Sequence, residues 1–246
     1  SIQNKSPAKI KLMKKIFKLN LILCAVFIVS SIQTNAQSNS NSANHVQFGI
    51  QTGIQFQNIN GSDANNNKLS NDLLIAFNAG LTLTFPIAPE FFVQSGLYYS
   101  LKGATGEEID FGVVMKRNIK INYIELPIHL LYKPMLGNGH LILGIGPYLA
   151  LGISGKVKYE GGGASLTQTI KFKNSVSLTD PGNYSYFRPL DAGADLIAGY
   201  EFSNNISFQL DAQLGLLKIN PKYEFANDSK TSAKNTGFGL TIGYHF

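Results

Sequence analysis

The side chains able to do chemistry in this 246-residue chain are four histidines, one cysteine and fifteen carboxylates. His129 follows Glu125 by four positions, so on a strand the two share a face. A hydrolase also needs a nucleophile beside that pair, and no serine can be assigned there. His45 and His245 bracket the patterned part of the chain and are expected to meet at one rim. Two imidazoles without a carboxylate or third ligand make a poor metal site. No G-x-S-x-G, H-E-x-x-H, phosphate-loop or dinucleotide pattern occurs. Gly161-Gly162-Gly163 reads as a flexible loop. These observations predict no catalytic, cofactor-binding or metal-ligating residue, and no enzyme.

The charged residues fall instead into a pattern. Lys102, Glu125, His129, Lys133, Asp191, Asp195, Glu201 and Asp211 each sit between apolar neighbours. Buried charges must be paired or hydrogen-bonded. If these positions face an interior, they are expected to form one polar network filling it.

The elements that would position them repeat with period two, the mark of a strand with unlike faces. Val46, Phe48, Ile50, Thr52, Ile54 and Phe56 alternate with Gln47, Gly49, Gln51, Gly53, Gln55 and Gln57. The pattern recurs over 73–85, 91–102, 119–133, 141–154, 190–202, 206–216 and 237–246. In the fourth stretch Ile119, Ile121 and Tyr123 give way to Ile124, Leu126, Ile128, Leu130 and Tyr132, which predicts a β-bulge near Tyr123. Strands of about ten to fifteen residues suit a tilted membrane crossing, which takes ~9–11, better than soluble strands of ~5–6. Short connections at 86–90, 134–139 and 203–205 alternate with long polar ones at 58–72, 103–118, 155–188 and 218–234. The expected fold is all-β: an eight-stranded antiparallel up-and-down transmembrane β-barrel, with short turns on one side and long loops on the other.

A soluble lipocalin-like ligand-binding barrel would bury the apolar face. Three features favour the reverse. The apolar face is nearly free of charge. The other face is rich in Gly, Ser and Ala, as a narrow eight-stranded interior requires. Phe56, Phe85, Phe91, Tyr132, Tyr200, Phe202, Tyr244 and Phe246 gather near strand ends on the apolar face, resembling interfacial girdles. Hydrocarbon forbids an open sheet edge, so strand eight must pair with strand one. Pro127 and Pro147 each remove a ladder donor and are expected at bulges or strand ends.

Met13-Lys14-Lys15, the apolar run Leu21–Val29 and Thr34-Asn35-Ala36 read as a signal peptide over 13–36. Residues 1–12 then read as upstream read-through, 37–45 as a flexible lead-in and 46–246 as the barrel. Cys24 lies in the apolar run after Leu23, which argues against lipidation. All six surplus cations lie before residue 37, and the remainder carries 15 basic and 15 acidic residues. The net charge of +6 therefore gives no support for nucleic-acid binding. The longest connection, 155–188, carries Lys156, Lys158, Lys171, Lys173 and Arg188 against Glu160 and Asp180. These cations are candidate contacts for anionic lipopolysaccharide. Residues 166–172 alternate, so part of this loop is expected to be a hairpin standing above the membrane.

Tyr123-Ile124-Glu125-Leu126-Pro127, Gly144-Ile145-Gly146-Pro147-Tyr148 and Ala198-Gly199-Tyr200-Glu201-Phe202, in that order, resemble the outer-membrane β-barrel family of Gram-negative bacteria that includes the PorT proteins. The resemblance covers 46–246. Tyr244 and the terminal Phe246 resemble the ending of substrates of the barrel assembly machinery, although Thr241 stands where such endings often have Gly. The resemblance implies an integral protein of the cell outer membrane, contacting outer-membrane lipid and the assembly machinery. A structural or interaction role through the extracellular loops is the main expectation. A PorT-like component associated with protein secretion, working with envelope protein partners, and a narrow transport barrel are the alternatives.

Overall fold

The computed structural model describes residues 45–110, 113–225 and 230–246. The leader, the read-through and most of the lead-in lie outside the described residues.

Eight long strands follow one another: β1 (Gln47–Ser62), β2 (Leu74–Ala88), β3 (Phe91–Asp110), β4 (Val113–Tyr132), β5 (Gly139–Gly161), β6 (Leu190–Glu201), β7 (Ile206–Gly215) and β8 (Ser232–His245). Each pairs antiparallel with the next, and β8 pairs with β1 from Gly49↔His245 to Ser62↔Ser232. The ring is closed, which removes the edges that hydrocarbon would forbid.

The registers set its shape. Gly49 lies opposite Thr82, and Thr82 opposite Gly96. The register of Tyr98↔Glu125 carries this to Pro127, which faces Tyr148, then Gly193, then Gly215. The register of Leu214↔Thr236 leads to Asn235, which faces Ile59. One circuit thus climbs β1 from Gly49 to Ile59, ten residues. With ~3.3 Å per residue and ~4.8 Å between strands, a stagger of ten over eight strands tilts them by about 40°. Ten residues so tilted rise roughly 25 Å, the height of an outer-membrane apolar band.

The apolar face points outward. Phe48, Ile54, Leu81, Leu196 and Leu240 are all more than half exposed, while Gln51, Gln55, Gln57, Glu125 and Asp195 are buried in the ring. Near the short turns the outer face carries an aromatic belt. Phe91 stacks on Tyr132 at 4.9 Å, Tyr200 meets Phe202 at 5.0 Å, and Tyr244 meets Phe246 at 5.2 Å.

Three expectations are corrected. First, much of the region read as long loops is strand: β3 runs to Asp110 and β5 to Gly161, well beyond the apolar belt. Above the belt β5 forms the hairpin expected around 166–172, pairing with Ala164–Phe172, which pairs in parallel with Ser185–Phe187. Second, the bulge expected near Tyr123 is present, with the register shifting between Asn122 and Tyr123, but β5 carries it and β4 itself does not slip. Ile119, Ile121, Tyr123, Glu125, His129 and Lys133 all face inward in unbroken alternation. The bulge lies on β5, where Tyr123↔Gly152 is followed by Asn122↔Ser154 and Ile153 is the extra residue. What changes along β4 is the chemistry of the inward face, from apolar above to polar below. Third, Pro127 and Pro147 lie mid-strand without bulges. The β3–β4 pairing passes from Ser95↔Ile128 to Tyr98↔Glu125 with its register unchanged, and the Ser95 hydroxyl donates to the Pro127 carbonyl at 2.9 Å. One interrupted bond in an otherwise closed ladder is tolerated there.

Candidate functional site

The interior has two storeys. The lower is polar and contains every residue of the sequence-derived network. Lys102, fully buried, is the centre of its upper part. Its Nζ lies 2.6 Å from Glu125 Oε2 and 3.3 Å from Asp191 Oδ2. It also sits 4.0 Å from the centroid of the Tyr148 ring and 5.5 Å from that of Tyr123. Asn235 donates to Asp191 at 2.9 Å. Gln213 Nε2 then bridges Glu125 at 3.1 Å and Asp195 at 3.0 Å, and Asp195 accepts or shares a proton with His129 Nε2 at 2.9 Å. Asp211 accepts from Thr241 at 2.7 Å. At the short-turn end Lys133 pairs with Glu201 at 2.8 Å and His245 Nδ1 meets the other oxygen of that carboxylate at 2.7 Å.

Two of the three short sequence motifs meet at Lys102, while Glu201 of the third lies with Lys133 and His245 at the short-turn end. Pairing of Glu125 with Ala150 and of Pro127 with Tyr148 brings the first two motifs side by side. Tyr123, Glu125 and Tyr148 then converge on Lys102, a cation that none of the motifs contains. Glycine makes the room: a Cβ on Gly193 would lie 2.6 Å from the Tyr148 ring. Directly after Lys102, Gly103 takes φ 149°, and a Cβ there would collide with the Ile119 carbonyl.

Between these groups lies a cavity of about 60 Å³ lined by Gln51, Gln55, Asn78, Tyr98, Glu125, His129 and Asp211. Gln51 Nε2, Gln57 Oε1 and Asn78 Oδ1 are buried there without a protein partner. A polar space of this size suits a few waters.

The upper storey was missed by sequence reasoning. Ile59, Ala104, Ile119, Ile121, Tyr123, Tyr148, Ala150, Val157, Ile170 and Ala233 form an apolar core inside the ring, and Ile219 enters it from the connection between β7 and β8. Leu69 and Phe172 pack against it from two other connections. Long loops thus fold inward and cap the polar storey. An inward isoleucine and a lipid-facing one look alike in sequence. The available signal was the unbroken parity of Ile119, Ile121, Tyr123 and Glu125.

His45 is exposed just before β1 while His245 turns inward to Glu201, so the two have different surroundings. Among the described residues no group of three or more His, Cys, Asp or Glu could hold a metal ion.

The loop cations do not form one cluster. Lys173 pairs with Asp180, whose carboxyl is held below its usual range by that lysine and by the Ser177 amide. Lys158 pairs with Glu160 at 2.7 Å. Lys171 Nζ lies 3.7 Å from the centroid of the Tyr184 ring. Arg188 is half-buried, with its Nε unpartnered, and its backbone N–H donates to the Ile219 carbonyl at 2.7 Å. Lys156 is exposed on the outer face of β5, directly opposite Lys120.

A closed antiparallel ring with an apolar exterior, an aromatic belt and a charged interior defines a membrane β-barrel class of protein. The family model described as "Outer membrane protein beta-barrel domain" matches residues 35–220, and the chain belongs to that family. It is a protein of the outer membrane. Solved structures similar to it include Ail, the attachment invasion locus protein of Yersinia pestis, with 12% identity, 81% of this chain and 98% of that chain covered, and a TM-score of 0.36. Neisserial surface protein A shows 9% identity, covers 82% and 100%, and gives 0.41. A major outer membrane protein from Thermus thermophilus shows 12%, covers 82% and 100%, and gives 0.40. A comparison with curated proteins returned no match.

Proposed function

We propose that the protein is a sealed outer-membrane barrel whose role is to hold an interaction surface outside the cell, rather than to pass solutes. The observation that carries this reading is the filled lumen. An ion-paired lower storey leaves about 60 Å³, and an apolar cap closes it above. Eight strands leave an interior just wide enough for side chains. Beyond the apolar belt, β3, β4, β5 and the Ala164–Phe172 and Ser185–Phe187 strands continue as a protruding sheet. That sheet is the larger exposed asset of the molecule. The likeness of its motifs to PorT-type barrels is compatible with an envelope partner on this surface.

Purified protein reconstituted in planar bilayers is expected to leave conductance at the level of the protein-free membrane. Stable single-channel steps would overturn the sealed-barrel reading.

A further inference from the structure

The outer face of the protruding sheet changes character abruptly just above the apolar belt. In β4 and β5 the paired residues Leu126↔Leu149 and Ile124↔Leu151 belong to the belt. The next rows upward are Asn122↔Ser154 and then Lys120↔Lys156. Lys156 in turn faces Thr169, and Lys171 follows Thr169 on the same face of the neighbouring strand. Two cations directly opposite each other in an antiparallel pair repel, and such pairs are destabilising unless something compensates. The segments around them, 101–105, 118–124, 151–158 and 164–171, contain no carboxylate. On this face of β5, Glu160 is taken by Lys158. So Lys120 and Lys156 stand opposite each other, beside a serine, a threonine and an asparagine, and Lys171 lies on the same face of the next strand with its ammonium over the Tyr184 ring, at the height where hydrocarbon gives way to headgroups.

We propose that Lys120, Lys156 and Lys171 bind the phosphate groups of a lipid A-type glycolipid in the outer leaflet. Its acyl chains would lie against the belt residues Ile124, Leu126, Leu149 and Leu151. Charge and position both select this occupant. The patch offers cations and hydroxyl donors to phosphate and sugar, and the apolar strip directly below continues toward the bilayer midplane. A soluble anion would use only the upper half of this arrangement. The bulge at Ile153 creates the boundary, because it turns Ser154, Lys156 and Lys158 outward after Leu149 and Leu151. The proposal rests on the outer-membrane location and not on whether the lumen conducts.

The test uses the full barrel in phosphatidylcholine nanodiscs, with diphosphoryl lipid A and its dephosphorylated form as probes. Wild-type protein is expected to retain the diphosphoryl lipid at least about tenfold better, given ~1 kcal/mol per lysine at an anionic surface. The K120Q/K156Q/K171Q variant is expected to lose that preference, and the three corresponding arginine substitutions to keep it. The distant control K68Q/K222Q/K230Q is expected to bind as wild type. Unboiled gel migration verifies that each variant is folded. Equal retention of both lipids by wild type, or an equal loss in the control, would overturn the proposal.

Discussion

Lys102 shows how a single buried cation organises a barrel interior. It has two carboxylates within 3.3 Å and two aromatic rings around it. Removing one member of a buried ion cluster leaves uncompensated charge, at about 3–5 kcal/mol. Lys102→Met is therefore expected to lower the urea midpoint of the folded, fast-migrating gel band. Adding Glu125→Gln and Asp191→Asn should recover most of the loss, since the triple variant strands no charge. Should the triple variant prove as unstable as the single one, the charges are not the cause. Gly193 tests the complementary point. Gly193→Leu would drive a side chain against the Leu214 carbonyl and into the Tyr148 ring, and overpacking of this kind costs about 1–3 kcal/mol. The same urea titration should report it, with Gly193→Ala falling between.

At the scale of elements, much was legible in the sequence. Eight alternating stretches gave the eight ring strands, because lipid on one side and a packed lumen on the other impose period two on every crossing. The inward positions of Lys102, Glu125, His129, Lys133, Asp191, Asp195, Glu201 and Asp211 follow from the same parity. Two things were hidden. One was the strand that carries the bulge: an irregularity was legible near Tyr123, but Leu149, Leu151 and Ile153 alternate smoothly into polar residues, and nothing local marks Ile153 as the extra one. The other was the apolar cap, because alternation cannot identify a face that is apolar on both sides. The cap also makes a prediction at this scale. Ile219→Asp would place a carboxylate in an apolar core, so the connection between β7 and β8 should swing out. On intact cells it should become a site of cleavage by added protease, while the barrel keeps its unboiled gel mobility. Protection equal to wild type would mean that Ile219 does not hold the cap.

For the whole molecule, closure is the dominant fact. All strand edges inside the apolar belt are satisfied by neighbours, and the ten-residue stagger sets a height matching an outer-membrane band. Such a ring resists detergent, so the membrane-fraction protein is expected to migrate faster before boiling than after. A single band at the unfolded position in both lanes would contradict a closed ring. The two faces differ in kind: the outer belt is apolar and the lumen is packed with paired polar groups.

The pairing of β1 with β8 has a further consequence for the life of the chain. The strands that meet there stand almost two hundred residues apart, so their union is the most non-local event in folding. A partly synthesised or clipped chain cannot wait in the bilayer, because it would present two raw seams to hydrocarbon. Closure of the ring therefore waits on β8, and insertion has to follow it. Loss of the nine residues Phe238–Phe246 would leave the seam unsewn, and the product should be found as soluble fragments rather than as a shorter membrane protein.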